Sequence, residues 1–82
     1  MDILHSDRIR LEILRALRQH GEMTVNGLKT RTRTPSYAAV KKACNFLRAL
    51  GLVRLEEKVA GSRRYLYVRL TDIGERVADS LR

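Results

Sequence analysis

A long stretch of the chain carries only positive charge. No acidic residue lies between Glu22 and Glu56. Seven basic residues fall in that interval: Lys29, Arg31, Arg33, Lys41, Lys42, Arg48 and Arg54. Uncompensated lysines and arginines neutralise phosphates and release their condensed counterions, which is the chemistry of nucleic-acid binding. The net charge of +8 favours encounter with any polyanion, so the clustering of the charges is more informative than their sum.

The basic stretch contains the clearest predicted helix. Thr34 offers an N-cap oxygen, and Pro35 suits the first helical position, where its missing N–H costs nothing. Apolar residues then recur at helical spacing on one face: Val40, Ala43, Cys44, Leu47 and Leu50, with Ala39 and Phe46 at its edge. Gly51 predicts the end of the helix.

The opposite face of this helix and its entrance form the candidate binding surface. The residues assigned to it are Arg31, Arg33, Thr34, Ser36, Tyr37, Ala38, Lys41, Lys42, Asn45 and Arg48. Lysine and arginine bind phosphates or guanine edges, asparagine pairs with adenine, and Ala38 and Tyr37 suit contacts with thymine methyls. The alternative is an ordinary solvated face, but such a face mixes charges of both signs and this one has no acid. The pattern favours the major groove of double-stranded DNA.

A shorter helix precedes this one. Thr24 is a suitable N-cap for a helix that runs to about Arg31, with Val25 and Leu28 facing inward. The threonines and arginines after it are typical of a turn. Two consecutive helices joined by a short turn, the second of them basic, predict a helix-turn-helix over about residues 24–50.

The first helix is predicted to begin at an N-cap, Ser6, and to end near Gly21. Its apolar residues cover more than one stripe: Ile9, Leu11, Ile13, Leu14 and Leu17. Since a surface helix needs only one stripe, either neighbouring elements pack on two sides of it or a partner chain covers the second side.

After Gly51 the apolar pattern alternates, as in strands. Val53, Leu55 and Val59 define one strand, and Leu66, Val68 and Leu70 define the next, with a hairpin tip at Ala60-Gly61-Ser62. Thr71 then caps a last helix over about residues 72–82. The prediction is therefore one domain, residues 1–82, mainly α with a small β-hairpin, in the order α-α-α-β-β-α.

The hairpin supplies a second cluster of basic residues. Its members are Lys58, Ser62, Arg63 and Arg64, around the tip. A basic loop beside a helix in the major groove is suited to the adjacent minor groove, where narrow A·T tracts concentrate negative potential. The alternative is a charged edge that deters aggregation between strands.

Catalytic and metal sites are not predicted. His5, His20 and Cys44 lack metal-ligand spacing, and the lone cysteine excludes an internal disulfide. The adjacent Glu56 and Glu57 point to opposite faces of a strand and do not form a catalytic pair. We therefore expect no enzymatic activity and no cofactor.

The chain also has no predicted targeting segment. Its apolar runs are too short for a membrane span, and its first residues lack the basic and apolar regions of a signal peptide. The expectation is a cytoplasmic, nucleoid-associated protein without a membrane partner.

Four short segments together resemble the winged-helix DNA-binding regulators of the ArsR, MarR and PadR type. They are residues 8–17 (RIRLEILRAL), 24–28 (TVNGL), 46–53 (FLRALGLV) and 70–74 (LTDIG). The resemblance covers nearly the whole chain, although its turn is basic where many such regulators have a glycine. Without a cysteine pair or a histidine-rich cluster in the helices, it does not extend to the metal-sensing members.

This resemblance implies a homodimeric transcription regulator, with a repressor favoured, on a palindromic DNA operator. The helix starting at Pro35 would be the recognition helix, and the wing would span about residues 53–69 with its basic part at Lys58 to Arg64. The terminal helices would form the dimer, through Ile3, Leu4, Ile73, Val77 and Leu81. No small-molecule effector is predicted.

Two other functions remain open from the sequence. One is a winged-helix interaction module whose basic face docks an acidic protein in a larger assembly. The other is an RNA or single-strand binder, in which Tyr65 and Tyr67 stack on bases. The more ordinary role of these tyrosines is packing against the first helix or a partner subunit.

Overall fold

The computed structural model describes the backbone of residues 2–81 and the side chains of residues 8–81. Its elements are α1 (Asp2–His20), β1 (Met23–Thr24), α2 (Val25–Arg31), α3 (Tyr37–Ala49), β2 (Val53–Ala60), β3 (Arg63–Leu70) and α4 (Asp72–Ser80). The strands form one antiparallel sheet in the order β1-β3-β2, so β2 lies at an edge. The predicted α+β class and element order are confirmed, with β1 as an addition.

Strand β1 is the element that the sequence did not predict. Met23 pairs with Val68 and Thr24 pairs with Tyr67, both in β3. A two-residue strand is too short to show alternation, and only its distant partner makes it a strand. It anchors the start of α2 to the sheet.

The core lies between α1 and the other elements. Side chains that are fully buried come from α1, α2, α3 and both long strands: Ile13, Val25, Leu28, Val40, Cys44, Val53 and Val68. Helix α1 packs against α2, α3, α4 and β3. Neighbours within the chain therefore cover most of its broad apolar surface, and Leu11, 37% exposed, is left at the margin.

Cys44 is a small apolar member of this core, as predicted. It is fully buried and forms no disulfide. Burial raises the pKa of the Cys44 thiol to about 12, because the thiolate would lose its hydration inside the core. The thiol is therefore neutral and structural at physiological pH.

The predicted start of α1 is wrong. The helix begins at Asp2, so Ser6 lies within it and is not the N-cap. No glycine or proline interrupts residues 2–7, so nothing local prevents the helix from extending past Ser6. The predicted end is confirmed: the helix stops at His20, and Gly21 takes a positive φ of 79°.

The turn between α2 and α3 is a Schellman motif without glycine. Thr32 is the C-cap of α2, and Arg33 follows with φ 55°, in the left-handed region. The Arg33 N–H donates to the Thr30 carbonyl at 3.2 Å, and the Thr34 N–H donates to the Lys29 carbonyl at 3.0 Å. An arginine in this conformation costs roughly 1 kcal/mol relative to glycine, and the two hydrogen bonds offset that cost.

The predicted cap of α3 is also corrected. Ser36, not Thr34, is the N-cap, and its Oγ accepts from the Ala39 N–H at 3.2 Å. Thr34 is buried, and its hydroxyl is paired with the Thr32 hydroxyl at 2.7 Å. Because the turn uses this oxygen, Pro35 precedes the cap and does not occupy the first helical position.

The C-terminus of α3 uses the same motif with a glycine. Gly51 has φ 76° and donates to the Arg48 carbonyl at 2.9 Å, and Leu52 donates to the Leu47 carbonyl at 3.0 Å. Gly51 is thus the predicted stop. Leu50, however, is 57% exposed and not part of the inward face, because the chain turns away from the helix axis at this cap.

The hairpin of β2 and β3 is regular along its length. Its register runs from Val53 opposite Leu70 to Ala60 opposite Arg63, so Ala60 belongs to the strand and the loop is Gly61-Ser62. Gly61 has φ 63°, as the first loop position of a type II′ turn requires. The tip therefore holds Arg63 and Arg64 at the start of a well-paired strand.

Helix α4 starts at the predicted N-cap, Thr71, whose Oγ1 accepts from the Gly74 N–H at 3.0 Å. The same hydroxyl donates to the Gly51 carbonyl at 2.6 Å and ties α4 to the end of α3. Gly74 and Ala78 form the buried face. The predicted stripe of Ile73, Val77 and Leu81 is therefore rotated: Val77 and Leu81 are half-buried, and Ile73 is 58% exposed.

The side chains of Ile3 and Leu4, which were predicted to lie in a dimer interface, fall outside the described ones. Within residues 2–81, no helix has both the length and the apolar character needed to cross a bilayer.

Candidate nucleic-acid interface

Helix α3 presents one polar, cationic face to solvent. Tyr37, Lys41, Asn45 and Arg48 recur at helical spacing, and all four are exposed. The inward face is formed by Val40, Ala43, Cys44 and Leu47, whose burial fixes the rotation of the helix about its axis. The predicted separation of an apolar and a cationic face is therefore confirmed.

The hairpin lies beside this face and forms a groove with it. The groove has a volume of about 500 Å³ and is lined by Tyr37, Lys41, Asn45, Arg48, Leu55, Glu57, Arg64, Tyr65 and Leu66. We call it the α3–hairpin groove. It joins two segments that are well separated in sequence, the recognition-helix candidate and the basic hairpin, into one surface.

Two arginines occupy the end of the hairpin. Arg63 and Arg64 are both exposed, directly after the Gly61-Ser62 loop. Arg64 lies on the sheet face that borders the groove, and its guanidinium is 3.8 Å from the Glu57 carboxylate. The predicted convergence of hairpin arginines and α3 is thus present for Arg64.

Lys58 faces the other side of the hairpin. Its ammonium donates to the Glu22 carboxylate at 3.0 Å and lies 4.6 Å from the centre of the Tyr67 ring. The hydrogen bond to Glu22 raises the pKa of Lys58 above its ordinary value, opposed by partial desolvation. Lys58 therefore does not line the groove.

The predicted site residues in the turn before α3 do not join the exposed face of α3. Arg31 donates to the Gln19 side chain of α1 at 3.2 Å, away from the α3 face. Arg33 is exposed at the turn, whereas Thr34 is buried and cannot contact DNA directly. Ser36, Ala38 and Lys42 are exposed at the start and flank of α3, outside the set that lines the groove.

The basic stretch seen in the sequence therefore converges only in part. Lys41 and Arg48 line the groove, and Lys29 is half-buried on α2. Arg54 lies opposite Arg69 in the hairpin ladder, near its base. Like charges placed directly opposite each other are unfavourable in a sheet, so this pair contributes charge to the surface and not to stability.

Four groove residues were absent from the predicted site. They are Leu55, Glu57, Tyr65 and Leu66. Strand alternation was the available signal for three of them, because it puts Leu55 and Glu57 on the sheet face of the buried Val53, with Leu66 opposite Glu57; it puts Tyr65 on the other face. What alternation does not show is that this face continues beyond the core and borders α3.

Among the described side chains, no group of three or more histidine, cysteine or acidic residues is placed to hold a metal ion. The cleft between α1 and α4 is lined by Arg15, Arg18, Gln19, Ala78, Asp79 and Leu81. Arg18 closes it by an ion pair of 2.6 Å with Asp79, and this hydrogen bond raises the pKa of Arg18. That cleft thus contains a structural contact between the terminal helices.

Comparison with known proteins shows which fold this arrangement of helices and strands belongs to. Neither protein-family models nor curated protein sequences gave a match. Among solved structures, NMB1585, a MarR family regulator from Neisseria meningitidis, has a TM-score of 0.74 at 25% identity, over 89% of this chain and 50% of that one. The adhesin competence repressor AdcR from Streptococcus pyogenes has a TM-score of 0.76 at 25% identity, over 88% and 52%.

PadR from Bacillus subtilis, solved in complex with operator DNA, has a TM-score of 0.76 at 16% identity, over 88% of this chain and 45% of that one. The chain has the winged helix-turn-helix fold. The predicted resemblance is confirmed: the neighbours are MarR- and PadR-family regulators, a non-enzymatic class. The chain spans about half the length of these three structures.

Proposed function

We propose that this winged helix is a sequence-specific regulator of transcription that binds double-stranded DNA. Helix α3 enters the major groove, and the tip of the hairpin enters the adjacent minor groove. The observation that carries the proposal is the α3–hairpin groove with its cations, Lys41, Arg48 and Arg64. When a helix and a hairpin occupy neighbouring grooves of a duplex, the phosphate strand between those grooves runs between the two protein elements. We assign that strand to the α3–hairpin groove.

The roles follow from side-chain chemistry. We assign Lys41 and Arg48 to phosphates or guanine edges, and Arg63 and Arg64 to the minor groove and its walls. We assign Asn45 to adenine, and Tyr37 borders the same surface. Thr34 is excluded because it is buried.

The comparisons support this assignment. PadR was solved with operator DNA, and AdcR is described as a repressor. A protein that occupies both grooves of its site excludes polymerase from the same DNA. Where the site overlaps a promoter, this exclusion represses transcription, and we propose repression for this chain.

We also propose that the chain acts as a homodimer through its terminal helices, with contacts from Ile3, Leu4, Ile73, Val77 and Leu81. The supporting observation is Ile73, an apolar residue of α4 that is 58% exposed. A two-fold axis would place two copies of α3 about 34 Å apart, one helical turn of DNA. The mass of the DNA complex, measured by light scattering, gives the stoichiometry.

The first test is a fluorescence-anisotropy titration of the chain against random duplexes at several salt concentrations. If about six phosphates are neutralised, log K falls with log salt with a slope near −5. The same oligonucleotides as single strands, and polyglutamate, serve as competitors. Stronger binding to single strands or to polyglutamate than to duplex would refute the proposal in favour of one of the other two functions.

The geometry of the tyrosines argues against single-strand binding. Tyr65 and Tyr67 are half-buried, with ring centroids 6.5 Å apart and planes at 78°. Tyr67 also carries the Lys58 ammonium on its face. Edge-to-face rings of this kind do not form the parallel platform on which successive bases stack.

Replacing Asn45 by alanine is expected to change sequence preference and leave general affinity intact. A bidentate contact between asparagine and adenine is worth about 1–3 kcal/mol of discrimination and does not involve phosphates. Selection of duplexes from a random pool, with wild type and variant in parallel, measures this. Asn26→Ala, on the exposed surface of α2, is the matched control. If the variant selects the same sequences as the wild type, Asn45 does not read a base.

A further inference from the structure

The α3–hairpin groove contains one carboxylate among the residues that line it, Glu57. Glu57 lies opposite Leu66, and Arg64 lies opposite Val59, on the same sheet face. The neighbouring Glu56 lies opposite Tyr67, on the other face of the hairpin. The groove that contains basic residues of the acid-free interval therefore also contains one carboxylate, from a residue just outside that interval.

The contact between Glu57 and Arg64 is loose. The guanidinium Nη1 lies 3.8 Å from the carboxylate Oε1, beyond hydrogen-bond distance, and the side chains are 75% and 58% exposed. An ion pair this exposed contributes little to stability, so a second anion can replace the carboxylate at small cost. Arg64 is thus held near an internal anion but not fixed by it.

We propose that Glu57 competes with a DNA phosphate for Arg64 and so limits the affinity of the groove. The inference rests on the proposed function, since it concerns the phosphate strand that lies between α3 and the hairpin. When Arg64 binds a phosphate, it gives up its attraction to Glu57, and the carboxylate then remains beside a phosphate strand of like charge. The result is weaker sequence-independent binding, while the base contacts of α3 are unaffected.

Two other roles for Glu57 predict a different change in DNA affinity when the carboxylate is removed. If the carboxylate positions Arg64 for DNA, its removal lets the guanidinium wander and weakens binding. If the pair is only a surface ion pair, its removal changes the net charge by one and nothing else. The three cases are separated by comparing Glu57→Gln with Glu56→Gln, because the two variants have the same net charge and remove carboxylates from opposite sheet faces.

The measurement is the affinity of each variant for a random duplex, again by anisotropy at several salt concentrations. We expect Glu57→Gln to bind about two- to fivefold more tightly than Glu56→Gln, in line with the strength of an exposed charge pair. Its salt dependence should be steeper by up to about one unit of slope, because Arg64 then neutralises a phosphate without an internal anion to offset it. Thermal unfolding of both variants checks that they are equally folded.

A double-mutant cycle with Arg64→Gln tests the route of the effect. If Glu57 acts by holding Arg64, the gain from Glu57→Gln disappears in the Arg64→Gln background. A gain that persists there, or affinities for Glu57→Gln that equal or fall below those of Glu56→Gln, would overturn the inference and leave the proposed function in place. A wild-type chain that binds no duplex at any salt concentration would overturn both.

Discussion

Replacing Lys41 and Arg63 together by alanine is expected to weaken duplex binding about thirtyfold near 0.15 M salt. Lys41 lines the α3–hairpin groove and Arg63 follows the hairpin loop, so the pair samples both elements of the proposed surface. Each phosphate contact contributes about five- to sixfold at this salt concentration, through the release of condensed counterions. The two contributions should multiply because the residues lie on different elements.

The salt dependence is the sharper measurement. The slope of log K against log salt should become shallower by about one for each contact removed, and so by about two for the double variant. The single variants should each show half of this change. Fluorescence anisotropy with one random duplex across a salt series measures affinity and slope together.

The matched control removes two arginines from the terminal helices. Arg8 on α1 and Arg76 on α4 do not line the groove, and Arg8→Ala/Arg76→Ala has the same change in net charge. If this control loses as much affinity and slope as Lys41→Ala/Arg63→Ala, binding depends on total charge and the assigned surface is wrong.

Replacing Gly74 by alanine is expected to destabilise the fold severely. Alanine normally stabilises a helix relative to glycine by about 1 kcal/mol. Here a Cβ on Gly74 would overlap the backbone carbonyl oxygen of Leu52 and crowd the Leu70 side chain. The same carbonyl accepts the Thr71 N–H at 3.0 Å, so Leu52 cannot move without breaking the start of α4.

We expect a loss of about 3 kcal/mol, the upper part of the range for overpacking. For a domain of this size, that loss lowers the melting temperature by about 12–24 °C. Circular dichroism during heating measures it. Arg76→Ala, on the exposed side of the same helix, should stay within about 0.5 kcal/mol of the wild type. A melting temperature for Gly74→Ala at or above that of the wild type would show that α4 does not approach the loop this closely.

The local pattern of the sequence determined the long elements and the face that each one buries. Thr24 and Thr71 cap their helices as predicted, and Gly51 ends α3. Capping oxygens, positive φ at glycine and apolar periodicity act over a few residues, so they can be read without knowledge of the fold. The acid-free α3 face was likewise evident from composition and spacing alone.

Tertiary structure decided whatever depends on contacts between distant segments. Strand β1 exists only because β3 pairs with it. Thr34 is not the predicted N-cap of α3, because its hydroxyl is hydrogen-bonded to the Thr32 hydroxyl inside a packed turn. An N-cap competes with every other partner its oxygen can reach, and local sequence does not show those partners.

The composition of the binding surface was decided in the same way. Arg31 and Lys58 have the residue type and position in the chain that the site requires, yet Gln19 and Glu22 hold them elsewhere. Glu57 lies in the groove because the hairpin rests against α3. Charge along a chain is additive and visible in the sequence, but the field at a surface depends on which side chains meet there, and packing alone sets those distances.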